Sequence, residues 1–269
     1  MPLDFSLAGK AYATVEADAD PAAIEAYAAA SGDDHPRYRA GPEQIAPPLF
    51  PVVAGLPRMM EMVSDPALGV GNPLMILHGG QEIVSHRPLR GGEHLVLSPV
   101  LERVEDKGEG AVFVSAVRAA TPDGEPVVDQ FWTIFVRGGG SGAERPRRDR
   151  PAPPERGDPA AVFSRHVGLE MPARYAEASG DHNPIHLDPE VAAAVGLPGV
   201  INHGLGTCAL VSGGLVDATL GGDPARLGRL AVRFTGMVEP GDDVRTQVWE
   251  DAGSGSAFET TRGDGTVVM

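Results

Sequence analysis

The spacing of apolar residues changes several times along the chain, and each change marks an element. In the first half, runs dense in Val, Ile, Leu and Phe predict strands over 81–87, 94–104, 111–120 and 126–137. Gly-Gly, Lys-Gly-Glu-Gly and Pro-Asp-Gly separate them, and these are turn-forming residues. A shorter strand is predicted over 10–16. Asp20-Pro21 then opens a helix, with Asp as cap and Pro at the first helical position, that ends at Ser31-Gly32. From 40 to 57, Pro42, Pro47, Pro48, Pro51 and Pro57 predict that no long helix survives, with only a helical turn from Arg58 to Val63. In the second half an apolar helical turn ends at Ser179-Gly180. Gly204 to Leu220 is the one long helix candidate: Leu205, Ala209, Leu210, Val211, Leu215 and Val216 make it apolar nearly all round, so it must be buried. Strands are predicted at 228–238, 244–250 and 256–261.

The second half repeats the first. Tyr27-Ala-Ala-Ala-Ser-Gly-Asp-Asp34 and Tyr175-Ala-Glu-Ala-Ser-Gly-Asp-His182 share six of eight residues at an offset of 148. Gly92-Glu93-His94-Leu95 and Gly241-Asp242-Asp243-Val244 match in type at an offset of 149. Two copies suggest a pseudo-dimer rather than a solenoid. Between them, Gly-Gly-Gly-Ser-Gly and an Arg/Pro-rich stretch read as a linker by composition. The expected organisation is one unit over 1–140, a linker over 141–158 and a second unit over 159–269. Arg145, Arg147, Arg148 and Arg150 could touch phosphates, but a solvated connector explains them as well. By comparison with the first copy the second ends early, with Met269 about where its last strand should begin.

Composition narrows the partners. A chain of 269 residues, 42% hydrophobic, can bury a real core. Net charge −15 argues against nucleic acid or anionic membrane, since a phosphate backbone needs a basic footprint. A nucleotide-bearing ligand stays open: twenty of the 22 basic residues are arginines, whose planar fork suits phosphate. The single cysteine, Cys208, sits among apolar residues and reads as packing rather than as a nucleophile. No apolar run approaches a membrane span, and the N-terminus lacks the pattern of a signal peptide, so a cytoplasmic protein is expected.

The chemistry-bearing residues cluster between 175 and 204. Asp181, Asn183 and His186 follow Ser179-Gly180 on a stretch that Pro184 keeps from continuing as a regular helix. A carboxylate, an amide and an imidazole on irregular backbone can converge on one small molecule. His203-Gly204 opens the long helix, where unpaired N–H groups can face a developing negative charge. Together these suit acid–base chemistry beside a carbonyl.

Tyr175, Ser179-Gly180-Asp181, Asn183-Pro184-Ile185-His186 and Ala192 resemble the signature of the MaoC-like hydratase/dehydratase family, the (R)-specific 2-enoyl-CoA hydratases. The resemblance implies an α+β double hotdog, two antiparallel sheets each wrapping a central helix, with the N-terminal helix eroded. It implies an acyl-CoA or acyl-carrier-protein thioester as substrate, no cofactor and no metal; chains could also pair as a homodimer. Asp181 and His186 would hold one water, with Asp181 as general base, His186 orienting the water and Asn183 fixing the pair. The Gly204 amide would hydrogen-bond the thioester oxygen. At an offset of 148 the first copy places His35 opposite Asn183, Tyr38 opposite His186 and Leu56 opposite Gly204. It is therefore read as catalytically degenerate, its eroded helix leaving space for a long acyl group.

Other readings stand beside this one. Asp181 could simply cap the next helix. His182 and His186 are spaced like zinc ligands, but Pro184 spoils the helical face. Gly204-Leu-Gly206-Thr-Cys-Ala209 fits a relaxed dinucleotide pattern without the βαβ alternation it needs. Ser212 could assist the water or bond its own backbone, His203 could touch substrate or be a satisfied buried histidine, and Arg233 could meet a phosphate or be a surface charge. A hotdog thioesterase and an inactive acyl-thioester-binding subunit are the alternative functions.

Overall fold

Helix boundaries follow local chemistry in this computed structural model, which describes residues 2–72, 76–144, 156–251 and 255–269. Helix α1 (Pro21–Ala30) starts where the Asp20 carboxylate accepts from the Ala22 N–H, and ends where Gly32 turns at φ +71°. Its counterpart α3 (Met171–Ser179) ends at Gly180, φ +77°. Each closes with the same back-bond: Ser31 Oγ donates to the Tyr27 carbonyl and Ser179 Oγ to that of Tyr175. The helices pack on each other through those tyrosines. Tyr27 and Tyr175, 148 residues apart and both fully buried, share a hydrogen bond of 3.0 Å between their hydroxyls.

The first half builds its sheet from β1 (Lys10–Ala11), β2 (Val15–Asp18), β3 (Ile76–Ser85), β4 (His94–Asp106), β5 (Gly110–Ala120) and β6 (Pro126–Arg137). The order is β1-β4-β5-β6-β3, antiparallel throughout, with β2 also on β4. One strand of the second half, β8 (Arg229–Arg233), extends it by pairing with β3, so the two halves join edge to edge. The remaining strands, β7 (Ala161–His166), β9 (Asp243–Asp251) and β10 (Gly255–Arg262), form a sheet ordered β10-β9-β7. The last residues lie between β10 and the segment after β8: Val268 N–H donates to the Thr260 carbonyl, and the Val268 carbonyl accepts from Thr235 N–H. That is the slot β6 fills in the first half. The double-hotdog arrangement is therefore present, each half laying an antiparallel sheet against a helix.

Two expectations need correction. The proline-rich segment does hold a helix, α2 (Val52–Val63), twelve residues long against seventeen for α5 (Gly204–Leu220). Pro47, Pro48 and Pro51 precede it, where N–H groups are unpaired in any case, and only Pro57 falls inside. Helix α2 packs on β4, β5 and β6 with Val52, Gly55, Met59, Met62 and Val63 buried. Gln130 of β6 donates to the Pro51 carbonyl and lies where a side chain at Gly55 would have to go. The space an eroded helix would have left for an acyl group is thus occupied by α2. Second, strand β7 was not foreseen, and the predicted strand over 10–16 divides into β1 and β2. Residues 139–142 of the Gly-rich stretch are tied to the first half, with Gly142 N–H on the Gly108 carbonyl and Ser141 Oγ on Asp106 at 2.6 Å. Arg145, Arg147, Arg148 and Arg150 lie outside the described residues.

Helix α5 is buried along most of its length, and one apolar core runs from it through both halves, Cys208 within it. Among the described residues no helix is long and apolar enough to cross a membrane. The tyrosine pair gives a test of how the halves depend on each other. Tyr27→Phe or Tyr175→Phe leaves one buried hydroxyl unpaired and should cost about 1–3 kcal/mol in urea unfolding. The double variant removes both hydroxyls and should be clearly less destabilised than the sum. Additive losses would show that the hydroxyls do not depend on each other.

Candidate active site

The loop after α3 is held by its own side chains. The Asp181 N–H donates to Ser179 Oγ at 3.2 Å, and the Asn183 N–H donates to Asp181 Oδ1 at 3.2 Å. Asn183 then caps a single 3-10 turn, Pro184–His186, its Oδ1 accepting from Ile185 N–H. Asp188 caps α4 (Pro189–Ala194) just beyond. A half-buried carboxylate and a buried imidazole are thereby fixed five residues apart on non-helical backbone.

His186 has its tautomer set by a neighbour. Its Nδ1 lies 2.8 Å from the Ile201 carbonyl oxygen, which can only accept, so Nδ1 carries the proton and Nε2 presents a lone pair. Burial holds its pKa below the ordinary histidine value, which keeps the ring neutral at neutral pH. His203 is the brace: only 1% exposed, it donates from Nε2 to the Asp181 backbone carbonyl at 2.9 Å and lies against the His186 ring, centroids 3.8 Å apart. His203 is also the residue before α5, and it gives that helix no side-chain cap. Gly204 therefore sits half-buried at the positive end of a seventeen-residue helix, its N–H among those that have no partner inside the helix. A Cβ at Gly204 would stand 3.2 Å from the Phe234 ring.

Of the residues singled out in the sequence, Asp181, His186 and His203 converge, with ligand-type atoms within 4.8 Å of one another. Gly204 adjoins them through the chain and Asn183 through the capped turn. Ser212 lies eight residues into α5, about 12 Å along the axis from Gly204, and its hydroxyl donates to the Ala209 carbonyl. Arg233 is an exposed charge on β8, opposite Gly80. The rings of His186 and His203 face each other, tilted by 32°. An open groove of about 510 Å³ lies on the sheet, but none of these residues lines it.

Several contributors escaped the sequence reading. The Ile201 carbonyl is one. Asn202, buried, donates to Thr207 Oγ1 at 2.9 Å and steadies the first turn of α5. His78 and Trp132 come from the first half: His78 stacks on Trp132 and meets the edge of Phe234, and burial pushes its pKa down to about 4 while the Asp181 charge opposes this. The Gly79-Gly80 pair after His78, inside an apolar run, is a sequence signal for the bulge that places it. The first copy's own loop is arranged differently. Asp33 packs against Gly213 in the middle of α5, where a Cβ would stand 2.8 Å from its carboxylate, and Leu56 lies inside α2 rather than at its start.

Both halves of the chain match known proteins. Residues 153–268 match the family model described as MaoC like domain, and residues 6–130 match one described as FAS1-like, dehydratase domain region. Over 218 residues the chain is 30% identical to a probable enoyl-CoA hydratase 2 of Dictyostelium discoideum, covering 78% of this chain and 74% of that protein. It is 35% identical over 203 residues to 3-hydroxyacyl-thioester dehydratase Y of Mycobacterium tuberculosis, covering 72% of this chain and 68% of that one. A MaoC-like dehydratase from Phytophthora capsici superposes with a TM-score of 0.81 at 27% identity, covering 100% of this chain and 95% of that one.

Desolvation of the half-buried His78 and the buried His203 should make stability pH-dependent. His78 and His203 have folded-state values near 4 against an ordinary 6.5, so between those limits the unfolded chain binds more protons. Stability present above pH 6.5 should be lost as the pH falls towards 4. Urea midpoints measured from pH 7.5 to 4.5 should decline, and His203→Gln should flatten the decline. A slope unchanged by that substitution would contradict the assignment.

Proposed function

The chain belongs to the MaoC-like dehydratase family and is a hydro-lyase of acyl thioesters, and on that premise we propose how Asp181, His186 and Gly204 carry its reaction. The reaction is the reversible addition of water to a 2-enoyl-CoA, giving the 3-hydroxyacyl-CoA. The observation that carries the residue assignment is the Ile201 carbonyl on His186 Nδ1, because it leaves Nε2 as the acceptor of a ring that has a nitrogen within 4.8 Å of an Asp181 carboxylate oxygen.

Two acceptors that close hold one water by both of its hydrogens and leave an oxygen lone pair free to attack. The water adds to the β-carbon while Asp181 takes one of its protons. Electron density moves through the conjugated system onto the thioester oxygen. The Gly204 N–H, at the positive end of α5, hydrogen-bonds that oxygen as charge develops, a contact whose loss typically costs about 3 kcal/mol in the barrier. Asp181 then returns a proton to the α-carbon, so the overall addition of H and OH balances. Asn183 and His203 position the pair, one by capping its turn and the other by holding the Asp181 carbonyl. Dehydration runs the same steps backwards. The proposal extends to (R) stereochemistry and to cytoplasmic chains paired as homodimers.

Asp181→Asn and His186→Ala should each lower turnover of a 2-enoyl-CoA, followed by loss of the conjugated absorbance, by a factor on the order of 10²–10⁴. Their effects should not multiply, because both act on one water. Asp33→Asn should leave turnover within a few-fold, and chiral analysis should find the (R)-3-hydroxy product. A fully active Asp181→Asn protein, or release of free CoA from a saturated acyl-CoA, would overturn the reading.

A further inference from the structure

Strand β3 carries a β-bulge. It pairs with β6 as Leu77 with Phe135 and His78 with Ile134, skips Gly79, and resumes as Gly80 with Thr133 and Gln81 with Trp132. Side chains of a regular strand alternate, so residues three apart would face opposite ways. The extra residue puts both His78 and Gln81 on the face shared by Ile134 and Trp132, the buried face of the sheet. The two glycines allow this where the halves join. A Cβ at Gly80 would stand 2.7 Å from the Val232 carbonyl of β8, and the Gly79 carbonyl accepts from the Phe234 N–H at 3.1 Å.

The consequence is a stack of three rings across the seam. His78 lies flat on Trp132, centroids 5.2 Å apart at 18°, and its other neighbour is Phe234, 5.0 Å away at 64°. Its Nε2 is tied to the Gly80 carbonyl at 3.1 Å, which locks the ring to the bulge, and the Gln81 side chain lies beside it. Phe234 in turn rests against Gly204. The first half therefore reaches the first residue of α5 through one continuous contact, Trp132 to His78 to Phe234 to Gly204.

We propose that His78 is a positioning residue of the hydratase site: its ring holds Phe234 against Gly204 and so fixes the helix N-terminus that receives the thioester oxygen. This rests on the hydratase reading above. It gives the first half a part in turnover even though its own Asp33 has none. Because the contact matters only as charge develops on the oxygen, its loss should appear in kcat and hardly in KM.

The test compares wild type, His78→Ala, His78→Phe, Phe234→Ala and Asp181→Asn, as full chains, in steady-state hydration of a short 2-enoyl-CoA. His78→Ala should lower kcat by about 10- to 100-fold with KM changed less than about three-fold, the scale of an ångström-level misplacement. His78→Phe keeps a ring in the stack and should bring kcat back to within about five-fold of wild type. Phe234→Ala should reproduce the kcat loss, and it serves in place of His78→Ala if that chain does not fold by circular dichroism. A folded His78→Ala protein with normal kcat would overturn the inference, as would a folded His78→Phe protein as slow as His78→Ala. Absent turnover in wild type, or full turnover in Asp181→Asn, would instead remove the hydratase reading itself.

Discussion

A helix that is apolar on every side has no stable place at a surface, and the architecture follows from giving α5 somewhere to go. Leu205, Leu210 and Val211 point in different directions around its axis and all are buried. Covering them takes material from both halves: β7 and β9 on one side, α3 and the Asp33 loop on others. The same burial leaves the helix start without a side-chain cap, because the residue before it, His203, turns instead to the Asp181 carbonyl. The requirement that hides the helix thus also delivers its positive end to a carboxylate and an imidazole.

The two halves share a plan and differ where the chemistry lies. At the axis they meet as equals, tyrosine on tyrosine. Away from it, Asp18 with His94 in one half answers His166 with Asp243 in the other, the same strand-to-strand contact of carboxylate and imidazole with its partners exchanged. The loops after α1 and α3 have diverged further. His35 bonds the Gly222 carbonyl and Arg37 pairs with Asp223, so the first loop is sewn to the far end of α5. The second stands at its near end. The two loops thus meet one buried helix at its opposite ends.

How much of this could be read from the sequence depended on whether the cause was local. The ends of α1 were legible, since Asp20-Pro21 and Ser31-Gly32 act within a turn of themselves. So were the capped loop from Asp181 to His186 and the all-round apolar face of α5. Helix α2 was not, because prolines that precede a first turn look in the sequence like those that break a helix; packing on three strands outweighs the single Pro57. Ser212 looked available until the helix showed its hydroxyl returning to Ala209. His78 was legible only as far as Gly79-Gly80 marks a bulge: its neighbours come from β6 and from the segment after β8.

The central claim is that one pair of side chains, Asp181 and His186, handles both ends of the added water from one side of the substrate. Hydration of a 2-enoyl-CoA in D2O reads this directly, since the relative configuration at the α- and β-carbons of the monodeuterated product records the faces used. A single dyad predicts that the deuteron and the hydroxyl arrive on the same face, giving the syn adduct. An anti adduct would mean that a second group protonates the α-carbon from the opposite side, and would contradict the account.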